Sequence, residues 1–277
     1  MSDRHITRRL RGMDTSDGAG VKLKRVIGQP ALDMLDPFLL LDEFRSDSAD
    51  DYIAGFPEHP HRGFETVTYM LAGHMQHGDN HGNRGDLTPG SVQWMTAGRG
   101  ILHSEMPQQE NGLMWGFQLW VNLPAKDKMT APRYQDIGPE RIPLVRPAAG
   151  VEVKVIAGTL AGATGPVEGI ATAPVYLDVS LQPGAQYTLE LPAGHHGFAY
   201  VFDGEAALVG GERLQRSELG VLSEGEQLQL AGADKPSRLL VVAGQPLNEQ
   251  VTRYGPFVMN TPEQIHQAIA DFRAGKF

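Results

Sequence analysis

Residues 58–73 read EHPHRGFETVTYMLAG, and this stretch decides the fold. Its second half, Thr66 to Leu71, is β-branched and aromatic and stops at Ala72-Gly73, the texture of a strand running into a turn. Its first half carries His59 and His61 two positions apart. In an extended chain, positions i and i+2 point to the same side, so both imidazoles can reach one point in space. Further on the chain reads ILHSEMP, where His103 and Glu105 repeat that spacing. Two neighbouring strands can therefore offer three imidazoles and a carboxylate to a common centre, as metal ligation requires. Half-exposed polar residues on strand edges would explain either pair alone. Four ligand-type residues in phase exceed what a polar strand face needs.

Working outward, strand-like segments recur along the chain. Val21 to Ile27 alternates apolar and basic residues, and Trp115 to Val121 puts Trp115, Phe117, Leu119 and Val121 on one face. Later candidates are Val151 to Ile156, Val175 to Leu181, Tyr187 to Leu191, Ala199 to Phe202, Gln227 to Leu230 and Arg238 to Val242. Turn signals such as Pro89-Gly90, Pro183-Gly184 and Asp203-Gly204 separate them, in keeping with 33 glycines among 277 residues. This is the pattern of an all-β sandwich or barrel. The texture runs on both sides of a Pro-rich stretch from Pro139 to Pro147, which predicts two similar β-domains, 1–135 and 136–277. One helix stands out at the end. Thr261 is its N-cap, Pro262 its first residue and Gln264 its capping-box partner, and Ile265, Ala268, Ile269 and Phe272 form an apolar stripe.

Composition narrows the chemistry. There are no cysteines, which excludes disulfides, thiol catalysis, Fe–S clusters and Cys-ligated zinc. A net charge of −9 argues against direct nucleic-acid binding and against anionic membranes. The local excess of Arg4, Arg8, Arg9, Arg11, Lys22, Lys24 and Arg25 near the N-terminus reads as a solvated strand face. The sequence start has no apolar leader and no apolar run spans a bilayer, so the expected location is the cytoplasm, or the nucleus in a eukaryote. Three neutral imidazoles and one carboxylate suit Fe(II), Mn(II), Ni(II), Co(II), Cu(II) or Zn(II), whereas Mg and Ca prefer all-oxygen sites. His195 and His196 are adjacent, face opposite sides of a strand, and predict no second metal site. His74, His77 and His81 fall in GHMQHGDNHGNRG and read as a surface hairpin.

At this point the residues carry a family resemblance. The runs HPHRGFETVTYMLAG, NRGDLTPGSVQWMTAGRGILHSEMP and GFQLWVNLPAKDKM resemble pirin. So do DPFLLLDEF (residues 36–44) and the terminal YGPFVMNTPEQIHQAIADFRAGKF. The match covers most of residues 20–135 and the last two dozen, and is weakest from about 140 to 250. It implies a two-domain bicupin, each domain an antiparallel β-barrel or jelly roll, with the C-terminal α-helix and one metal in the N-terminal domain only. It also implies His59, His61, His103 and Glu105 as ligands and Fe(II) as the usual ion. Most cupins take the glutamate a few residues after HxH, here Glu65; the pirin pattern puts Glu105 in that role and leaves Glu65 structural.

The resemblance further implies quercetin 2,3-dioxygenase activity: cleavage of a flavonol by O₂ with release of CO. Acid–base chemistry is compatible with this, Glu105 leaving the metal to take the proton of the substrate hydroxyl. Its alternative is a regulatory protein whose metal acts as a structural or redox switch for a transcriptional or metabolic protein partner. Sugar isomerisation on a cupin scaffold is a third option. A monomer is expected.

Overall fold

The computed structural model describes residues 2–277 of the chain. Among them strands dominate, and one α-helix, Pro262–Arg273, follows the last of them. No helix of the described residues is long and apolar enough to cross a membrane. The chain forms two compact units, neither of which is continuous in sequence. One comprises Met13–Gln29, Phe38–Pro139 and Leu247–Phe277; the other comprises the residues up to Gly12, Pro30–Pro37 and Glu140–Pro246. The division is therefore not the single cut between 1–135 and 136–277 that a linear reading gives. Both ends cross over, and strand pairing is the reason. Ile6–Arg11 pairs antiparallel with Glu218–Leu222, and Asp3–Arg4 lies parallel to Gln227–Gly232. At the other end, Arg62 bridges to Phe257, which draws the last segment to the histidine loop.

The unit carrying the histidine pairs is built mainly from two sheets, with a short two-stranded ladder of Thr252–Tyr254 and Phe257–Met259 besides. The larger runs in the order Arg133–Ile137, Val92–Thr96, Phe64–Ala72, Met114–Asn122, Phe38–Ser46, Val21–Ile27 and Met13–Asp17. The smaller runs Phe56–His61, Ile101–Pro107, Met75–Asp79 and Arg84–Leu87. Period-two alternation decides which side chains enter the space between them. Along Phe38–Ser46, Leu40, Asp42 and Phe44 face a cavity, while Glu43 turns to the other side and accepts from Trp115 Nε1 at 2.9 Å. Both faces of the strand are covered, which is why FLLLDEF is nearly all apolar. Val21, Phe44, Met70, Met75, Leu87 and Met114 fill one part of the interior and leave the remainder open as that cavity.

The second unit repeats the scheme with a seven-stranded and a five-stranded sheet. Its interior is closed by aliphatic side chains, among them Val153, Val155, Leu177, Val179, Leu228 and Val241. One expectation about its N-terminal strands needs correction. Arg4 is buried rather than solvated, and its guanidinium donates to the carbonyls of Gly225, His195 and Pro192 at 2.8–3.0 Å. Burial depresses its pKa, with Glu224 opposing.

The terminal helix forms as its sequence predicts. Thr261 accepts from Gln264 N, the Gln264 side chain returns to the Thr261 backbone, and Ile265 and Ala268 pack on Phe257 and Met259. Polar contacts of Arg62 and Lys128 tie this segment to the loop after His61. Arg62 donates to Asp271 Oδ2 at 2.9 Å and to Arg99 O at 2.6 Å. Buried Lys128 donates to Gly63 O at 2.8 Å and Val258 O at 3.0 Å. Gly63 has φ +89°, and a Cβ there would stand 2.0 Å from Val258 O. Only glycine permits this approach.

Candidate metal centre

Phe56–His61 and Ile101–Pro107 pair antiparallel, with His59 opposite His103 and His61 opposite Ile101. The register then slips, so that Glu105 stands opposite Phe56; the extra residue lies on the Phe56–His61 side, and Ile101–Pro107 keeps its alternation. His103 and Glu105 thus share a face. The ligand atoms of His59, His61 and His103 all lie within 4.8 Å of one another, and the rings of His59 and His103 are 4.5 Å apart.

The protonation pattern suits a cation. His59 Nδ1 is 2.8 Å from Pro57 O, so Nδ1 carries the proton and Nε2 presents its lone pair. That lone pair is 3.0 Å from His61 Nε2. Burial, reinforced by His59, holds His61 well below the usual imidazole range; burial with His61 and His59 does the same for His103. Both are therefore neutral at physiological pH. His61 Nδ1 and both ring nitrogens of His103 have no hydrogen-bond partner. Buried polar atoms are rarely left so, and convergent neutral imidazoles of this kind fit a divalent ion.

Glu105 lines the same cavity, outside the tight imidazole trio. Thr68 Oγ1 is 2.7 Å from its Oε1, Gln118 Nε2 donates to its Oε2 at 3.1 Å, and Thr68 Oγ1 is 2.6 Å from Gln118 Oε1. Glu65 lies elsewhere. It shares a strand with Thr68 at odd spacing and so faces the opposite side of the sheet, where it accepts from Thr96 Oγ1 at 2.7 Å. Burial raises its pKa to about 6.

The cavity has a volume of about 540 Å³ and is walled by Leu23, Leu40, Phe44, Phe56 and Trp120. Trp120 packs edge-on to His61 at 5.2 Å, with the Arg253 guanidinium 4.8 Å from its ring. Asp42 also lines it, clamped by Arg25; burial, with Arg25 opposing, raises its pKa to about 6. Sequence reasoning missed Thr68, Gln118, Asp42 and Arg253. The available signal was an acid inside FLLLDEF, since a charge in a run of buried residues needs a reason.

His77 corrects another expectation. It is buried, stacked on Tyr134 at 5.0 Å and 3.3 Å from Asp136 Oδ1, and it stands opposite Glu105 in the sheet. His81 is exposed and His74 meets Asp86 at 2.9 Å, as a surface hairpin predicts. His195 and His196 reach the carbonyls of Ala173 and Asp36 at 3.0 and 2.9 Å.

Comparisons with known proteins match both halves. The pirin model covers residues 20–121, and the pirin C-terminal cupin domain model covers residues 176–277. A Pseudomonas aeruginosa protein provisionally named a quercetin 2,3-dioxygenase is 52% identical over 95% of this chain and 94% of its own. Human pirin is 44% identical over 99% of this chain and 94% of its own. A crystal structure of quercetin 2,3-dioxygenase from Acinetobacter baumannii superposes with a TM-score of 0.91 at 37% identity, covering 100% of this chain and 99% of that one.

Proposed function

The chain belongs to the pirin family, and on that premise we propose that it is a metal-dependent dioxygenase cleaving flavonols, with His59, His61, His103 and Glu105 as ligands of one divalent ion, iron first. The observation that carries the reading is the convergence of His59, His61 and His103 beside an apolar cavity, with buried His61 and His103 keeping ring nitrogens unpartnered. A divalent ion bound there supplies a positive charge that acidifies a chelating hydroxyl, together with reactivity toward O₂.

The rest is the work of the chain's own residues. Leu40, Phe44, Phe56 and Trp120 hold a planar ring system and exclude water. Glu105 takes the proton of the substrate's 3-hydroxyl, and Thr68 and Gln118 fix where that proton rests. Their three contacts with Glu105 form a closed ring that holds two protons when Glu105 is ionised. One hydroxyl hydrogen cannot serve both Thr68 contacts. A proton on Glu105 Oε1, donated to Thr68 Oγ1, completes the ring, and flipping the Gln118 amide only moves the shortfall to another edge. The ring is thus built to accept one proton. The overall reaction consumes one flavonol and one O₂ and releases C3 as CO.

Stoichiometrically iron-loaded protein is expected to consume O₂ with quercetin and to release CO in equal amount, measured by an oxygen electrode and CO trapping. Loaded protein that takes up no O₂, with iron or with any of Mn, Co, Ni and Cu, overturns the reading.

A further inference from the structure

The cavity has a second polar position that the chemistry above does not use. Asp42 lines its wall between Leu40 and Phe44 and is only 4% exposed. Arg25 Nε and a terminal guanidinium nitrogen hold its two oxygens at 3.0 and 2.7 Å, and the same guanidinium takes Asp17 Oδ2 at 2.7 Å. A carboxylate offers about four lone-pair positions, and Arg25 occupies two. The others remain as acceptor capacity on a buried group at the cavity wall.

Strand register fixes where Asp42 stands. Thr68 pairs with Gln118, Gln118 with Asp42, and Asp42 with Arg25, so the four form one row across four adjacent strands. Glu105 rests on the Thr68–Gln118 end of that row. Neighbouring strands lie about 4.8 Å apart, which places Asp42 about 5 Å from Gln118 and about 10 Å from Thr68 along the sheet. Apolar side chains, Leu40 and Phe44 among them, flank the acid on its own strand.

We propose that Asp42 accepts a hydrogen bond from a hydroxyl of the ligand remote from its chelating oxygens, so that the cavity selects a planar polyphenol that carries such a hydroxyl. The proposal rests on the flavonol reading above and names which flavonols fit. Arg25 and Arg253 oppose the charges of Asp42 and Asp17, so a neutral hydroxyl is preferred over an ammonium group. Quercetin carries such remote hydroxyls; 3-hydroxyflavone has the chelating oxygens and lacks them.

The test uses metal-loaded, full-length protein without O₂, titrated with quercetin and with 3-hydroxyflavone while quenching of tryptophan emission is followed. A hydrogen bond to a buried charged acceptor predicts about 10- to 100-fold tighter binding of quercetin. Asp42→Ala, with unchanged metal content, is expected to bind both ligands at the wild-type affinity for 3-hydroxyflavone. Equal wild-type affinities overturn the proposal, and this comparison holds even where the variant fails to fold. A variant that keeps the preference, or that weakens both ligands alike, also overturns it. Wild-type protein that binds and discriminates but consumes no O₂ with either ligand overturns the dioxygenase reading and leaves Asp42 its role. Protein that binds neither overturns both.

Discussion

His103 brings two unpartnered ring nitrogens into the interior, a state that burial alone does not stabilise. His103→Ala is therefore expected to reduce retained metal from near one equivalent to none, measured by elemental analysis, while the strands persist in circular dichroism. Glu65 gives a pH prediction. Its folded pKa is raised to about 6 from 4.5, so the unfolded chain releases its proton first. Stability is fully present below 4.5 and declines as pH rises through 6. A shift of that size corresponds to about 2 kcal/mol at pH 7. Glu65→Gln should remove this pH dependence in urea titrations at pH 4.5 and pH 7. The convergence of His59, His61 and His103 was legible because a two-residue spacing is written in the sequence itself. Thr68, Gln118 and Asp42 were not, because register across three strands brings them into one row. His77 was misread for a similar reason. Gly85 leaves it room, since a Cβ there would stand 2.3 Å from His77 Nε2, and Tyr134 from a distant strand covers it.

The terminal helix shows how a well-signalled element can have an unsignalled address. Thr261, Pro262 and Gln264 fixed its start, and its apolar stripe predicted packing against strands. That it packs with Phe257 and Met259 beside the histidine loop depends on Arg62 and Asp271, which no local pattern links. Thr261→Ala removes the capping box and is expected to cost about 1 kcal/mol in chemical denaturation. Acid should act at the other end of the helix. The Arg62 guanidinium, with Gln267 and Lys276, lowers the pKa of Asp271 to about 2 from 3.8. Its stabilising contribution is present above 3.8 and lost as pH falls through 2. Amide exchange in Pro262–Arg273 should accelerate across that window before the strands release, and Asp271→Asn should show the faster exchange already at pH 7.

The two units contrast in how their interiors are filled, one by aliphatic side chains and the other around a cavity with imidazoles. Bulk composition and turn spacing revealed the repeated β-architecture; which half stays open depends on individual residues such as Asp42 and His103. All three tryptophans, Trp94, Trp115 and Trp120, belong to the cavity-bearing unit. Tryptophan emission therefore reports its unfolding alone. Free metal at about 100 times its Kd stabilises the folded form by about 2.7 kcal/mol. EDTA should lower the tryptophan-monitored midpoint of the metal-loaded protein. The crossing of the chain ends also imposes an order on biosynthesis. Arg253, Gly255 and Pro256 of the cavity and the whole helix belong to Leu247–Phe277, translated after Glu140–Pro246. A ribosome halted at Pro246 would hold a nascent chain with every imidazole of the candidate centre already made and the cavity wall still missing its last three residues.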